Sequence, residues 1–253
     1  MFKFFSLVLF VVLFSGCDES STIAVNEKYL DTNISFNETN NTLVKIDKSS
    51  EITKKRKRKP NPKKEKFKKI MIPIVSDIYV ELEKKYQNVK LDIKHNRNQE
   101  HIEQLKKEYK AKTNALLLQA IKPHPISIVL AQSAIESAWL SSRFAKEANN
   151  IFGVWSFDKN EPRIAASGLR GEKTIYLKKY DSYNDAVRDY YKSIGKSWAY
   201  KKLRYLRTVT DKPHILLPHL ESYSEKKSEY IKILKQLIKN NNFELYDIKE
   251  TKI

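Results

Sequence analysis

The sequence predicts a mainly α-helical domain with a small β-lobe, preceded by a disordered basic tether. Three observations predict it. Apolar residues recur at helical spacing through most of residues 67–245, the stretch from Ile164 to Tyr180 is β-prone instead, and residues 17–66 combine polar composition with dense positive charge. The chain thus divides into an N-terminal segment of residues 1–16, a tether of residues 17–66 and one compact domain of residues 67–245, a length sufficient to bury a core.

From the N-terminus, Met1-Phe2-Lys3 gives a small positive start, and Phe4 to Phe14 is apolar but too short to span a bilayer as a stable helix. Small residues Ser15-Gly16 follow, a pattern that reads as a signal peptide. Cys17 comes next and is the only cysteine, so no internal disulfide forms. Its setting resembles the lipobox at which bacterial lipoproteins are cleaved and acylated, with Phe14 where a smaller aliphatic residue is usual. Residues 18–50 are rich in Asn, Thr, Ser and acidic side chains, without enough apolar surface to offset ordering entropy.

Lys54 to Lys69 then packs eleven of the 48 basic residues around Pro60 and Pro62, and such mutual repulsion favours an extended, solvated segment. A nucleic-acid partner is not expected, because no nucleic-acid motif accompanies the block and a secretory signal directs the chain away from the chromosome. The net charge of +18 suits an envelope, where anionic lipids and the carboxylates of peptide stems attract a basic protein.

Within the domain, Ile74, Ile78, Leu82 and Tyr86 mark a helix over Ile70 to Tyr86, with Pro73 near its start. A second helix is expected over Gln99 to Ala120, and a third from the Pro123–Pro125 break to about Ser141. Arg143 to Asn150 reads as a short helix closed by Asn149-Asn150. Gly168 and Gly171 bracket basic residues before the β-prone Thr174-Ile175-Tyr176-Leu177, which predicts a hairpin. Tyr183 to Gly195 and Ser224 to Lys239 are amphipathic, the latter presenting Tyr230, Ile233, Leu234, Leu237 and Ile238 to a core. His214 to His219 (HILLPH) reads as a buried turn; its histidines lack further ligands, so no metal or cofactor is expected.

One residue departs from this pattern of apolar faces. Glu136 lies in a helix that is apolar almost all round, with Ile128, Ala131, Ala134, Ile135 and Ala138 on one side and Val129 and Trp139 near it. Gln132 and Ser133 alone soften the surroundings. A carboxyl so placed is poorly solvated as an anion, which raises its pKa and keeps it protonated for general-acid work. A glutamate paired with Arg143 is the structural alternative.

AQSAIESAW and SRFAKEANNIFGVWSF, residues 131–139 and 142–157, resemble the signature of the glucosaminidase domain of glycoside hydrolase family 73, whose members cut peptidoglycan glycan strands. The likeness narrows to the bacterial Bax proteins through Phe67 to Val75, Lys178 to Ile194 and Tyr223 to Leu234, and covers roughly residues 57–240. It implies a lysozyme-like helical fold with a groove between a helical lobe and a β-lobe. It also implies an endo-β-N-acetylglucosaminidase, and the lipobox-like setting of Cys17 leads us to expect it lipid-anchored through that residue at the cell envelope, facing the periplasm or wall.

Carried over residue by residue, Glu136 aligns with the family's catalytic acid and Tyr223 with its active-site tyrosine. Gln132, Asn150, Phe152 and Trp155 are the expected substrate-binding residues. The β-lobe offers Glu172, Glu161 and Asp158 as a second carboxylate, with Glu172 preferred; the substrate's acetamido group is the alternative nucleophile. Two other functions fit the same residues. Glu136-Ser137 also occurs in lytic transglycosylases, although Asn149-Asn150-Ile151-Phe152-Gly153 is unlike their following motif, and a noncatalytic wall-binding scaffold would keep the groove without cleavage.

Overall fold

The computed structural model describes residues 61–170 and 173–247. The expected signal segment, Cys17, most of the tether and Glu172 lie outside the described residues. Helices dominate: α1 (Pro62–Lys94), α2 (Gln99–Tyr109), α3 (Asn114–Ile121), α4 (Ile126–Glu136), α5 (Arg143–Ala148), α6 (Tyr183–Lys196), α7 (Lys201–Leu206), α8 (Pro213–Leu216) and α9 (Ser228–Asn241). Strands β1 (Arg163–Arg170) and β2 (Lys173–Lys178) form one antiparallel hairpin, pairing Arg163 with Lys178 and Ile164 with Leu177, with an irregular register between Ala165 and Leu169. The mainly helical fold with a small β-lobe is therefore the one expected.

α1 corrects the expected tether boundary. It starts at Pro62, inside the basic block, because Asn61 caps it by accepting Lys63 N–H at 3.0 Å and proline suits the first helical position. Phe67, Met71, Val75, Ile78 and Tyr79 then form a buried stripe, and Phe67 meets Trp139 edge-to-face at 5.1 Å. This burial anchors the first two turns despite their lysines. Pro73 lies well inside the helix rather than near its start.

The expected Gln99–Ala120 helix is two helices. Lys110 adopts a left-handed backbone at φ 55°, and Thr113 caps α3 by accepting Leu116 N–H. The break lets α3 turn onto α6, where Gly195 leaves no room for a side chain: an added Cβ would lie 2.6 Å from the Ala120 carbonyl oxygen. Tyr86, Val89, Ile102, Leu105, Tyr109 and Leu117 belong to a smaller cluster at this end.

The principal core surrounds α4, whose residues from Ile126 to Ala134 are all buried. Pro125 offers no side-chain cap at its N-terminus; Asp247 supplies one from the far end of the domain by accepting Ser127 N–H at 2.8 Å. That contact carries the domain to at least residue 247, beyond the expected limit at 245. Leu216, Leu217 and Leu220 are the buried part of the HILLPH region, and His214 is exposed. Among the described residues, no helix is long and apolar enough to cross a membrane.

Candidate active site

α4 ends at Glu136, not near Ser141, and its termination presents the carboxyl. Ala138, Trp139 and Leu140 follow in the left-handed region, with φ of 49°, 63° and 61°. Each such non-glycine residue costs about 1–2 kcal/mol. Ser137 helps hold the turn: its buried hydroxyl donates to Ser133 O at 2.6 Å and accepts Leu140 N–H at 2.8 Å. Trp139 N–H reaches back to Ala134 O at 2.8 Å while its ring packs on Phe67. The reversal leaves Glu136 at the helix end, partly exposed while the residues before Ile135 are buried.

Burial pushes the Glu136 carboxyl up to about 8, opposed by a hydrogen bond from Tyr230. Tyr230, on α9, donates to Oε1 at 2.9 Å. Sequence reasoning assigned this tyrosine to the core alone, and indeed it is fully buried. Its hydroxyl is what distinguishes it from a packing residue. Arg143, the alternative partner for Glu136, instead pairs with Glu147 at 3.1 Å and donates to Ala165 O.

The other expected site residues differ in burial and in partners. Tyr223 is buried, donates to Phe152 O at 3.2 Å and stacks on Tyr230 with ring centroids 5.9 Å apart. It supports the tyrosine that touches Glu136. Gln132 is fully buried with both ends of its amide engaged, to Tyr230 and Tyr190. Phe152 is also fully buried, stacked on Tyr190 at 4.3 Å. Asn150 binds Val154 and Lys178 backbone groups and so joins the post-α5 turn to β2. Gln132, Asn150 and Phe152, expected as substrate contacts, are thus all buried and engaged by neighbouring residues. Trp155 is partly exposed, bridges to Leu177 of β2 and lies 6.2 Å from the exposed ring of Phe157.

The β-lobe carboxylates have partners of their own. Glu161 lies 3.6 Å from Lys178, which also pairs with Asp189, while Asp158 accepts Asn160 N–H at 2.9 Å. Among the described residues there is no cluster of three or more His, Cys, Asp or Glu suited to a metal ion.

A buried helix ending in a glutamate whose pKa is raised, backed by a tyrosine, is an arrangement suited to acid-assisted bond cleavage. The chain resembles the catalytic domain of the autolysin Auto from Listeria monocytogenes, at 18% identity over 74% of this chain and 89% of that one, with a TM-score of 0.48. It resembles a peptidoglycan hydrolase from Sphingomonas sp. A1 at 22% identity, 51% and 86% coverage and a TM-score of 0.40. For a truncated glycoside hydrolase domain of Salmonella typhimurium FlgJ the figures are 18%, 55%, 97% and 0.39. A search of curated proteins finds no match. The family model "Glucosaminidase: Mannosyl-glycoprotein endo-beta-N-acetylglucosaminidase" matches residues 112–243, just over half of the chain, and includes α4, the hairpin and α9. The chain belongs to this glucosaminidase family and is a glycoside hydrolase.

Proposed function

We propose that the protein hydrolyses the β-1,4 bond that follows N-acetylglucosamine in peptidoglycan glycan strands, with Glu136 as the general acid. The observation that carries this reading is the Glu136 carboxyl itself, partly exposed at the end of a buried helix and hydrogen-bonded by Tyr230, where poor solvation pushes its pKa up to about 8. Tyr230 donates to Oε1, so the acidic proton resides on Oε2, the oxygen left to reach the glycosidic oxygen. Trp155 and Phe157 offer ring faces to sugars at the hairpin side of the site. Tyr223 acts by holding Tyr230 rather than by touching substrate.

Protonating the leaving group is half of the reaction, since the anomeric carbon must also receive a nucleophile. Glu172 is the proposed carboxylate for that role, and the acetamido oxygen of the substrate is the alternative. The engagement of Glu161 with Lys178 makes it the weaker choice. Attachment through a lipid on Cys17 would hold the enzyme at an envelope membrane facing the periplasm or wall, consistent with a polymeric substrate that does not diffuse.

Mass spectrometry of purified peptidoglycan after digestion tests the reaction. New fragments ending in reducing N-acetylglucosamine, lost with Glu136→Gln, are the expected result. Anhydro-muramic ends would replace hydrolysis by transglycosylation, and a folded, wall-binding protein that releases no ends would leave a scaffold. Near-normal turnover of Glu172→Gln in the same digestion would remove that residue from the mechanism.

A further inference from the structure

Glu136 stands at one end of a continuous line of hydrogen bonds whose other end is a buried cation. Arg207, just after α7, is 1% exposed; its Nη2 donates to Gln119 O at 3.0 Å and Ala120 O at 2.7 Å. Its Nη1 lies 3.3 Å from Nδ1 of the fully buried His124. The other ring nitrogen of His124 is 2.8 Å from the Tyr190 hydroxyl, which lies 2.5 Å from Gln132 Oε1. Gln132 Nε2 is 3.0 Å from the Tyr230 hydroxyl, which reaches Glu136 Oε1 at 2.9 Å.

The cation fixes the direction of every bond in this line. A guanidinium only donates, so His124 Nδ1 must accept, and the neutral imidazole keeps its hydrogen on Nε2. That hydrogen goes to Tyr190, whose own hydrogen is then directed to Gln132 Oε1. The amide orientation follows, with its NH2 group toward Tyr230. Tyr230 accepts there and has its hydrogen free for Glu136. The opposite polarity would set two donors face to face between Arg207 and His124.

We propose that Arg207 is a positioning residue for the acid: through His124, Tyr190 and Gln132 it fixes Tyr230 as a hydrogen donor to Glu136 Oε1, keeping the acidic proton on Oε2. The proposal rests on Glu136 being the acid. Burial and the neighbouring guanidinium hold His124 well below the usual histidine range, which keeps the ring neutral. Arg207 itself is lowered only to about 10 and stays cationic at neutral pH. Arg204, Tyr109, Tyr190 and Tyr191 are the other titratable groups that act on it. Glu136 faces the phenols of Tyr190, Tyr200, Tyr223 and Tyr230, from α6, the turn before α7, the turn before α9 and α9; burial raises all four, so they stay neutral.

Tyr190→Phe cuts the line while keeping the ring that stacks on Phe152. Gln132 Oε1 then lacks its donor, and the amide is free to turn its oxygen toward Tyr230. Tyr230 would give its hydrogen to the amide and accept the proton of Glu136. The anion loses a hydrogen bond and the neutral acid gains one, so the Glu136 pKa rises while its proton turns away from the substrate.

The test is a carbon-13 carboxyl titration of Glu136 in the full chain, its resonance assigned by its loss in Glu136→Gln. Tyr190→Phe is expected to move the titration upward by about one unit and to lower kcat about tenfold at unchanged KM. Arg207→Met should shift the titration in the same direction; if it does not fold, Tyr190→Phe decides alone. A folded Tyr190→Phe that melts at lower temperature but titrates as the wild type overturns the proposal, leaving the line a structural feature. A shifted titration with unchanged kcat would uphold the hydrogen-bond line and reject Glu136 as the acid, so the two failures are distinguishable.

Discussion

At the scale of single residues, the raised Glu136 pKa is also a statement about stability. An unfolded glutamate ionises near 4.5, the folded one near 8, so between those values the folded state retains a proton that the unfolded state has released. Stability therefore falls as pH rises from about 4.5 to about 8 and levels off above. Glu136→Gln removes this penalty. It should raise the melting temperature at pH 8 and change it little at pH 4.5; an equal effect at both values would count against a raised pKa. Glu136 was legible in the sequence because the apolar residues that desolvate it are its neighbours on one helix. Its partners were not: Tyr230 is 94 residues away, and Arg207 reaches His124 across 83. A buried arginine in a chain with 48 basic residues has no local signature, and a tyrosine on an apolar helix face reads as core until its hydroxyl is placed.

At the scale of elements, the hairpin, α5 and α6 follow the sequence because the β-prone Thr174-Ile175-Tyr176-Leu177 run, the Asn149-Asn150 pair and strong apolar periodicity are local signals. The misplaced ends of α1, α2 and α4 have tertiary causes or subtle ones. Phe67 draws the basic block into α1 by burying against Trp139. Thr113 supplied a capping signal within the expected Gln99–Ala120 helix, but the residues around it continue a helical pattern. No glycine or proline ends α4; the packing of Trp139 and the Ser137 hydrogen bonds sustain three left-handed residues there. Its other end depends on Asp247, which caps Ser127 N–H in place of the missing side-chain cap. Asp247→Ala should cost about 1 kcal/mol of unfolding free energy, measured by urea denaturation at neutral pH, and an unchanged midpoint would show the contact to be dispensable.

At the scale of the whole molecule, a basic run precedes the described domain in sequence. Residues 54–59 contribute six of the positive charges and end before the Asn61 cap of α1, so they are removable without touching the helix. Their deletion is expected to weaken binding to purified walls and reduce its salt dependence, whereas Cys17→Ser should shift the protein from membrane to soluble fractions. Unchanged binding would remove adhesion from the account, and unchanged fractionation would remove the lipid anchor. On the proposed reading, catalysis needs neither attachment and its acid step depends on one protonated carboxyl, that of Glu136. The most direct test is therefore the pH–rate profile of the full chain on purified peptidoglycan, with folded Glu136→Gln beside it. Activity is expected to decline as pH passes about 8, with a Glu136→Gln rate lower by about 10²–10⁴. A Glu136→Gln enzyme within a few-fold of wild type, with the same profile, would contradict it.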